Sequence, residues 1–227
     1  MLFKSATITQ ASGSIGGVTA SRNRFGMYFR ARSLPVNPNT SFQQIMRNIV
    51  RTLSTAWLDV LTADQRSAWN VYAANVSWKN KLGDTVFLTG LNHYVRGNAA
   101  RLQAGMDVVN DGPIVYALPT LTLPVITLVP ATDEISIAFT NTDDWAGEVG
   151  GALVCYASRP ISPTRDFFVG PYRFMDVIEG AVVPPASPDV QDAPYAFASG
   201  QKVACRFVAL RADGRASTPF RIDSVAP

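Results

Sequence analysis

The sequence predicts an α+β chain: an N-terminal β-hairpin arm, a small three-helix domain, and then a β-sandwich. Three observations predict it. Two capping boxes, Thr40 with Gln43 and Thr62 with Gln65, each precede apolar residues at helical spacing. Short β-type runs divided by turn signals fill the C-terminal half. Charge changes sign between the two regions: residues 1–105 hold twelve Lys and Arg against three Asp and Glu, a net +9, and residues 106–227 hold eight against fourteen, a net −6.

Residues 1–38 read as an extended basic arm. Gly13, Gly16, Gly17 and Gly26 interrupt it, and glycine inside a helix costs about 1 kcal/mol relative to alanine. Residues 18–22 and 27–33 alternate around Asn23, Arg24, Phe25 and Gly26, the pattern of a hairpin with a glycine-closed turn. In the second run Met27, Phe29 and Ala31 share one side, and Tyr28, Arg30 and Arg32 the other. A lone hairpin is marginal in water, so this one requires a surface to lie on. The residues expected to make that contact are Ile15, Arg22, Arg24, Phe25, Tyr28, Phe29, Arg30 and Arg32.

Residues 39–105 are predicted to be the helical domain. Pro35 and Pro38 block helix before it. Phe42, Ile45, Ile49, Leu53, Trp57 and Val60 then recur at helical spacing. A second helix opens at Thr62 and turns Ala68, Trp69, Tyr72 and Ala73 to its apolar face. The link between the two is so short that it predicts an antiparallel αα-hairpin. Gly83 and Asp84 mark a turn within residues 76–89. Thr89 caps a third helix, residues 90–104, which Gly105 ends.

Residues 106–118 are predicted to be a linker. Pro113, Pro119, Pro124 and Pro130 suit a linker that runs into an edge strand. Strands follow at residues 134–140, 151–157 and 202–210, with residues 167–179 between the last two and a closing strand at 220–223. Val203, Cys205, Phe207 and Ala209 point inward. Residues 111–227 are expected to fold by themselves, since the strand pattern needs no helix to close its core.

This stretch, over roughly residues 117–225, resembles the fibronectin type III family. The likeness rests on Pro119 and Pro124 before the first strand, and on Val203 together with the run Ala209, Leu210, Arg211, Ala212, Asp213, Gly214, Arg215, Ala216, Ser217. Residues 135–139 lack the tryptophan that many members place in the second strand. The resemblance implies a fibronectin III/Ig-like β-sandwich over residues 119–227, a binding or spacing module without activity.

Little in the chain points to catalysis. His93, the single histidine, has no partner at metal-ligand spacing and no nucleophile beside it. Asp143, Asp144 and Glu148 offer oxygens for a weak Ca²⁺ site but match no EF-hand spacing, so solvated loop carboxylates are the reading. The glycines at 13, 16 and 17 lack the Lys-Ser/Thr ending of a phosphate loop. No cofactor and no metal are expected. Trp57 and Trp69 fall on apolar helix faces, whereas Trp78, beside Lys79 and Lys81, is a candidate for an exposed ring. Cys155 and Cys205 are expected as buried reduced thiols, with a single cross-strand disulfide as the alternative. The start of the chain turns polar too early for a secretory signal. No apolar run of about 18 residues is present to span a membrane.

A second resemblance covers residues 12 to about 75. The glycine-rich run from Ser12, the basic hairpin ending at Arg32, the Asn-Pro-x-Thr helix start at Asn37–Thr40 with Gln44 and Arg47, and Leu61, Thr62, Gln65, Arg66, Ala68 and Trp69 carry it. Together these look like a largely uncharacterised family of tailed-bacteriophage and prophage structural proteins. What the resemblance implies is a non-enzymatic virion component, made in the host cytoplasm: a capsid decoration or head–tail collar protein. Its partners would be other virion proteins (capsid, portal or tail) and copies of itself. The arm would supply charge-assisted contacts from its arginines, and the β-sandwich would project outward. The alternatives are a nucleic-acid-binding, packaging-associated protein and a cell-wall-degrading virion enzyme. Scarce lysine in the arm and an acidic C-terminal half weigh against the first, and the missing nucleophile and metal motifs against the second.

Overall fold

The computed structural model describes residues 11–34, 36–80 and 82–227. The fold is α+β, with three helices and four antiparallel sheets among the described residues. The chain divides into two compact units, one through Gln44 and one from Ile45 to Pro227.

In the first unit, β1 (Gly13–Ile15), β2 (Val18–Asn23) and β3 (Gly26–Ala31) form a sheet in that order. The expected hairpin is β2–β3. Asn23 stands opposite Gly26, and the Phe25 amide donates to Asn23 Oδ1 at 2.9 Å. Strand β1 is an addition to the sequence reading, which left residues 13–15 as glycine-broken arm. It forms because Gly16 takes φ +57° at the first position of a two-residue turn, which sets Ile15 opposite Val18.

The second unit holds most of α1 (Ser41–Asp59), α2 (Ala63–Asn75), a small hairpin of β4 (Ser77–Lys79) and β5 (Thr85–Phe87), and α3 (Gly90–Gln103). Both capping boxes are present. The Thr62 amide donates to Gln65 Oε1 at 2.9 Å and the Gln65 amide to Thr62 Oγ1 at 3.2 Å; Thr40 and Gln43 repeat the exchange at 3.2 and 3.4 Å. Gly105, at φ +75°, ends α3 in a Schellman motif in which the Met106 amide reaches the Arg101 carbonyl at 2.9 Å.

The antiparallel α1–α2 pairing expected from the short link is replaced by a close pairing of α2 with α3. Tyr94 on α3 explains the difference. Its ring lies 5.6 Å from that of Trp57 on α1 and 5.7 Å from that of Trp69 on α2, so the largest apolar groups of both helices meet on α3.

Seven strands complete the unit: β6 (Val125–Val129), β7 (Glu134–Ala138), β8 (Ala152–Ser158), β9 (Tyr172–Glu179), β10 (Asp189–Asp192), β11 (Lys202–Leu210) and β12 (Phe220–Val225). One sheet runs β10-β7-β6 and the other β12-β11-β8-β9. A single core joins them, with Ile126, Leu128, Ile135 and Ile137 from the first and Leu153, Cys155, Val203, Cys205 and Phe207 from the second. The inward set expected on β11 is thus in place.

Strand β8 is buried along its whole length. Leu153, Cys155 and Ala157 join the core between the sheets, while Ala152, Val154 and Tyr156 join a second cluster with Ala100 and Ala104 at the end of α3. The expectation that this β region needs no helix therefore meets a four-stranded sheet whose outer face a helix covers. Residues 107–117 are tied down as well. The Trp69 indole donates to the Asn110 carbonyl at 2.9 Å, Gln65 Nε2 to Asp111 Oδ1 at 2.9 Å, and Arg215 Nη1 to the Ala117 carbonyl at 3.1 Å.

Candidate functional site

The strand register sorts the N-terminal sheet into two unlike faces, because directly opposed residues share a face. Ile15 pairs with Val18, Val18 with Ala31, Ala20 with Phe29 and Arg22 with Met27. These residues make one apolar face that carries a single arginine. Ser14 pairs with Thr19, Thr19 with Arg30 and Ser21 with Tyr28, and these make the polar face. Ser14 and Thr19 join their hydroxyls across it at 2.7 Å. Arg24 and Phe25 form the tip of the hairpin. Just past β3, the Arg32 amide donates to the Gly17 carbonyl at 2.9 Å, and its Nη1 to the Gly16 carbonyl at 3.4 Å.

The eight arm residues picked from the sequence are therefore not one cluster. Ile15, Phe29 and Arg22 share the apolar face, Tyr28 and Arg30 the polar one, and Arg24 and Phe25 the tip. No residue of β1, β2 or β3 is buried. Ile15 is 89% exposed and Phe25 81%. Among the described residues no salt bridge involves Arg22, Arg24, Arg30 or Arg32. On the apolar face Ile15 and Val18 are exposed, whereas Met27 and Phe29 are half-buried.

The motif at residues 61–69 resolves into packing. Leu61 enters the helical core. Arg66 Nη1 donates to the carbonyls of Trp57 at 3.2 Å, Leu58 at 3.2 Å and Leu61 at 2.9 Å, capping the C-terminus of α1, which has no basic residue in its own last turn. A Cβ on Gly112 would stand 2.6 Å from that of Ala68, so the chain passes α2 at backbone distance. Each motif residue thus has a folding role.

Two arginines that the sequence reading did not single out join α3 to the β region. Arg101 is buried and gives Nε to the Asp107 carbonyl at 2.7 Å and Nη1 to the carbonyls of Gly150 at 2.9 Å and Arg211 at 3.2 Å. Arg96 donates to the carbonyls of Ala216, at 3.0 Å, and Ser217, and lies 4.3 Å over the Trp78 ring. Trp78, expected as a candidate exposed ring, is half-buried under that guanidinium. Burial lowers the pKa of both arginines, that of Arg96 to about 10. One sequence signal pointed to this interface. Gly97 sits inside a helix, and a Cβ there would lie 2.1 Å from the Gly214 carbonyl oxygen.

The residues considered for chemistry have structural partners. Asp144 and Glu148 hold Arg211, at 2.7 and 2.5 Å, and Asp143 accepts from the Thr122 amide and hydroxyl at 2.9 and 2.7 Å. His93 is buried edge-on to Tyr72, ring centroids 5.1 Å apart, and burial with Arg96 nearby lowers its pKa to about 4. Cys155 and Cys205 are free, buried thiols, and burial pushes Cys205 up to about 12. Among the described residues no group of three or more His, Cys, Asp or Glu is placed to hold a metal ion, and no helix is long and apolar enough to cross a membrane. Compared with known proteins, the chain matches no family model, no curated protein and no solved structure.

Proposed function

We propose that this chain is a non-enzymatic structural component of a tailed-phage virion, a capsid decoration or head–tail collar protein that docks through its N-terminal sheet. One observation carries the reading: a three-stranded sheet has its apolar residues sorted to one face, and Ile15 and Val18 on that face are exposed. A neighbouring virion protein, or another copy, laid on that face would bury Ile15 and Val18. The arginines of the tip and polar face then meet carboxylates or carbonyls of the partner.

We read the β region as a fibronectin III/Ig-like sandwich. Seven strands in a three-plus-four arrangement around one core support this. In this reading the β region is a spacing or binding module held to the helices by Arg96 and Arg101. Nucleic acid remains the competing partner, because among the described residues the arm arginines form no salt bridge.

The two partners differ in salt dependence. The purified full-length chain is titrated with duplex DNA at about 50 and 200 mM salt. Six or more phosphate contacts would weaken binding by roughly 10³-fold between the two. The proposal expects no sub-micromolar DNA binding at the lower salt. It expects particle binding that survives the higher salt and is lost on replacing Ile15 and Phe29 by Ser. Tight, salt-sensitive DNA binding would replace it with the packaging-associated reading.

A further inference from the structure

The outer face of the four-stranded sheet carries an arginine with no acceptor. Arg206 lies on β11 opposite Tyr156 on one side and Arg221 on the other. Its guanidinium carbon stands 5.1 Å from the Tyr156 ring and 5.5 Å from the Tyr172 ring. Its Nε is buried and has no hydrogen-bond partner. The cross-strand neighbour is another cation, and that one is satisfied: Arg221 holds Asp223 and donates to the Phe168 carbonyl at 2.7 Å. Like charges directly opposite on a sheet are unfavourable unless something offsets them.

Beside Arg206 is a cavity of about 190 Å³ between α3 and the sheet. Arg96 lines it too, and no Asp or Glu does. Gln103 and Tyr156 form a polar edge, with the phenol donating to Gln103 Oε1 at 2.8 Å. Ala99, Val208 and Pro219 belong to its apolar part. Arg206 and Arg96 thus both line one small, partly apolar space with no Asp or Glu in its lining, while the Arg96 guanidinium is already engaged by the Ala216 and Ser217 carbonyls and the Trp78 ring. A desolvated N–H without an acceptor is costly, more so when charged, and the two tyrosine rings fix the guanidinium in place by cation–π contact before any ligand arrives.

We infer that this cavity is a binding site for a carboxylate on a short apolar stem, received by Arg206. The carboxylate geometry matches the arginine fork, and the apolar lining favours a stem over the hydration shell of a free phosphate. Such a group reaches the site either as a small free acid or as an acidic side chain or chain end of a neighbouring protein.

The full-length chain is titrated with butyrate while the Arg206 Nε–H resonance is followed by NMR, with butyramide, inorganic phosphate and sodium chloride at matched ionic strength as parallel probes. Butyrate is expected to shift the resonance saturably, and the other three to leave it in place. Arg206→Gln, checked for folding by its urea midpoint, is expected to weaken butyrate binding at least tenfold, read from Tyr156 and Gln103 resonances. A glutamate-containing tripeptide with blocked ends compares the sources: tighter binding than butyrate identifies a protein-borne carboxylate, and weaker binding a free acid. No saturation by butyrate, an equal response to butyramide, or saturation by phosphate alone would overturn the assignment.

Discussion

Asn98 and Val109 exchange two hydrogen bonds. The Asn98 side chain donates to the Val109 carbonyl at 3.0 Å and accepts from the Val109 amide at 2.8 Å, so a fully buried amide on α3 stands in for a strand partner. The segment after α3 has no sheet to join at this point, and Asn98 satisfies its backbone instead. Asn98→Leu leaves both Val109 groups without partners. A destabilisation of about 3 kcal/mol is expected, read as a lower urea midpoint at unchanged slope.

Gly97→Ala sets two effects against each other. Alanine gains about 1 kcal/mol of helix propensity. Against that, its Cβ would meet the Gly214 carbonyl oxygen at 2.1 Å, and that atom is backbone. Overlap of this kind costs typically 1–3 kcal/mol or more, so net destabilisation is expected. Thermal unfolding of the variant checks the sign, since a raised melting temperature would mean that α3 and the 211–214 turn separate freely.

Alkaline stability follows from the buried thiols and phenols. Burial raises Cys205 from 9.0 to about 12, and Tyr72 and Tyr156 from 10.0 to about 12. Each therefore binds its proton more tightly in the folded state. Its contribution is complete below the unfolded pKa and is lost as pH rises toward 12, at about 1.4 kcal/mol per pH unit for each group. Cys205→Ala should reduce the part of the decline that starts near pH 9, which it shares with Cys155, whose burial also raises its thiol well above 9.0, and leave the part that starts near pH 10. Urea titrations across pH 8–11 measure both.

His93 acts at the opposite end. Burial, with Arg96 adding to it, lowers its pKa from 6.5 to about 4, so the folded state binds the proton less readily than the unfolded chain. Stability is present above pH 6.5 and falls as pH drops from 6.5 toward 4. His93→Phe should remove this acid-side slope.

The helices were legible because their signals are local. Thr40, Thr62 and Thr89 mark the starts and Gly105 an end, and caps need only a few neighbouring residues. The β2–β3 hairpin and the inward face of β11 followed from alternation in the same way. What the sequence did not disclose lies at longer range. Strands β1, β4, β5 and β10 have three or four residues each, too few for a period to register. Trp145, in the loop after β7, is fully buried against Phe139 although nothing in its local sequence marks it as core. The covering of β8 by α3 was hidden because small residues make it: Ala100 and Ala104 read as neutral helix formers and serve as packing surface. For the candidate site, alternation alone set Phe29 apart from Tyr28 and Arg30, whereas placing Ile15 and Arg22 on the Phe29 face needed the register. Arg206 and the cavity beside it gave no sequence signal, since an arginine in a strand ordinarily reads as a solvated charge.

The α3 cover also sets the behaviour of fragments. Residues 111–227 without the helices would expose Val154, Tyr156, Val208 and Leu210 on one sheet face. Such a contiguous apolar patch favours association. The fragment is expected to aggregate or to unfold without a sharp transition, and a fragment from residue 45 onward to unfold cooperatively. Size-exclusion chromatography and thermal melts of the two compare them directly.

Occupancy in particles tests the docking account most directly. The whole chain and a chain lacking residues 1–38 are each produced together with the virion proteins that the proposed function makes its partners, and the copies of each per purified particle are counted by quantitative mass spectrometry. The account predicts that the truncated chain folds with the same cooperative transition as residues 45–227 and is absent from particles, while the full-length chain is incorporated. Equal incorporation of the two would show that the N-terminal sheet is not what docks the protein.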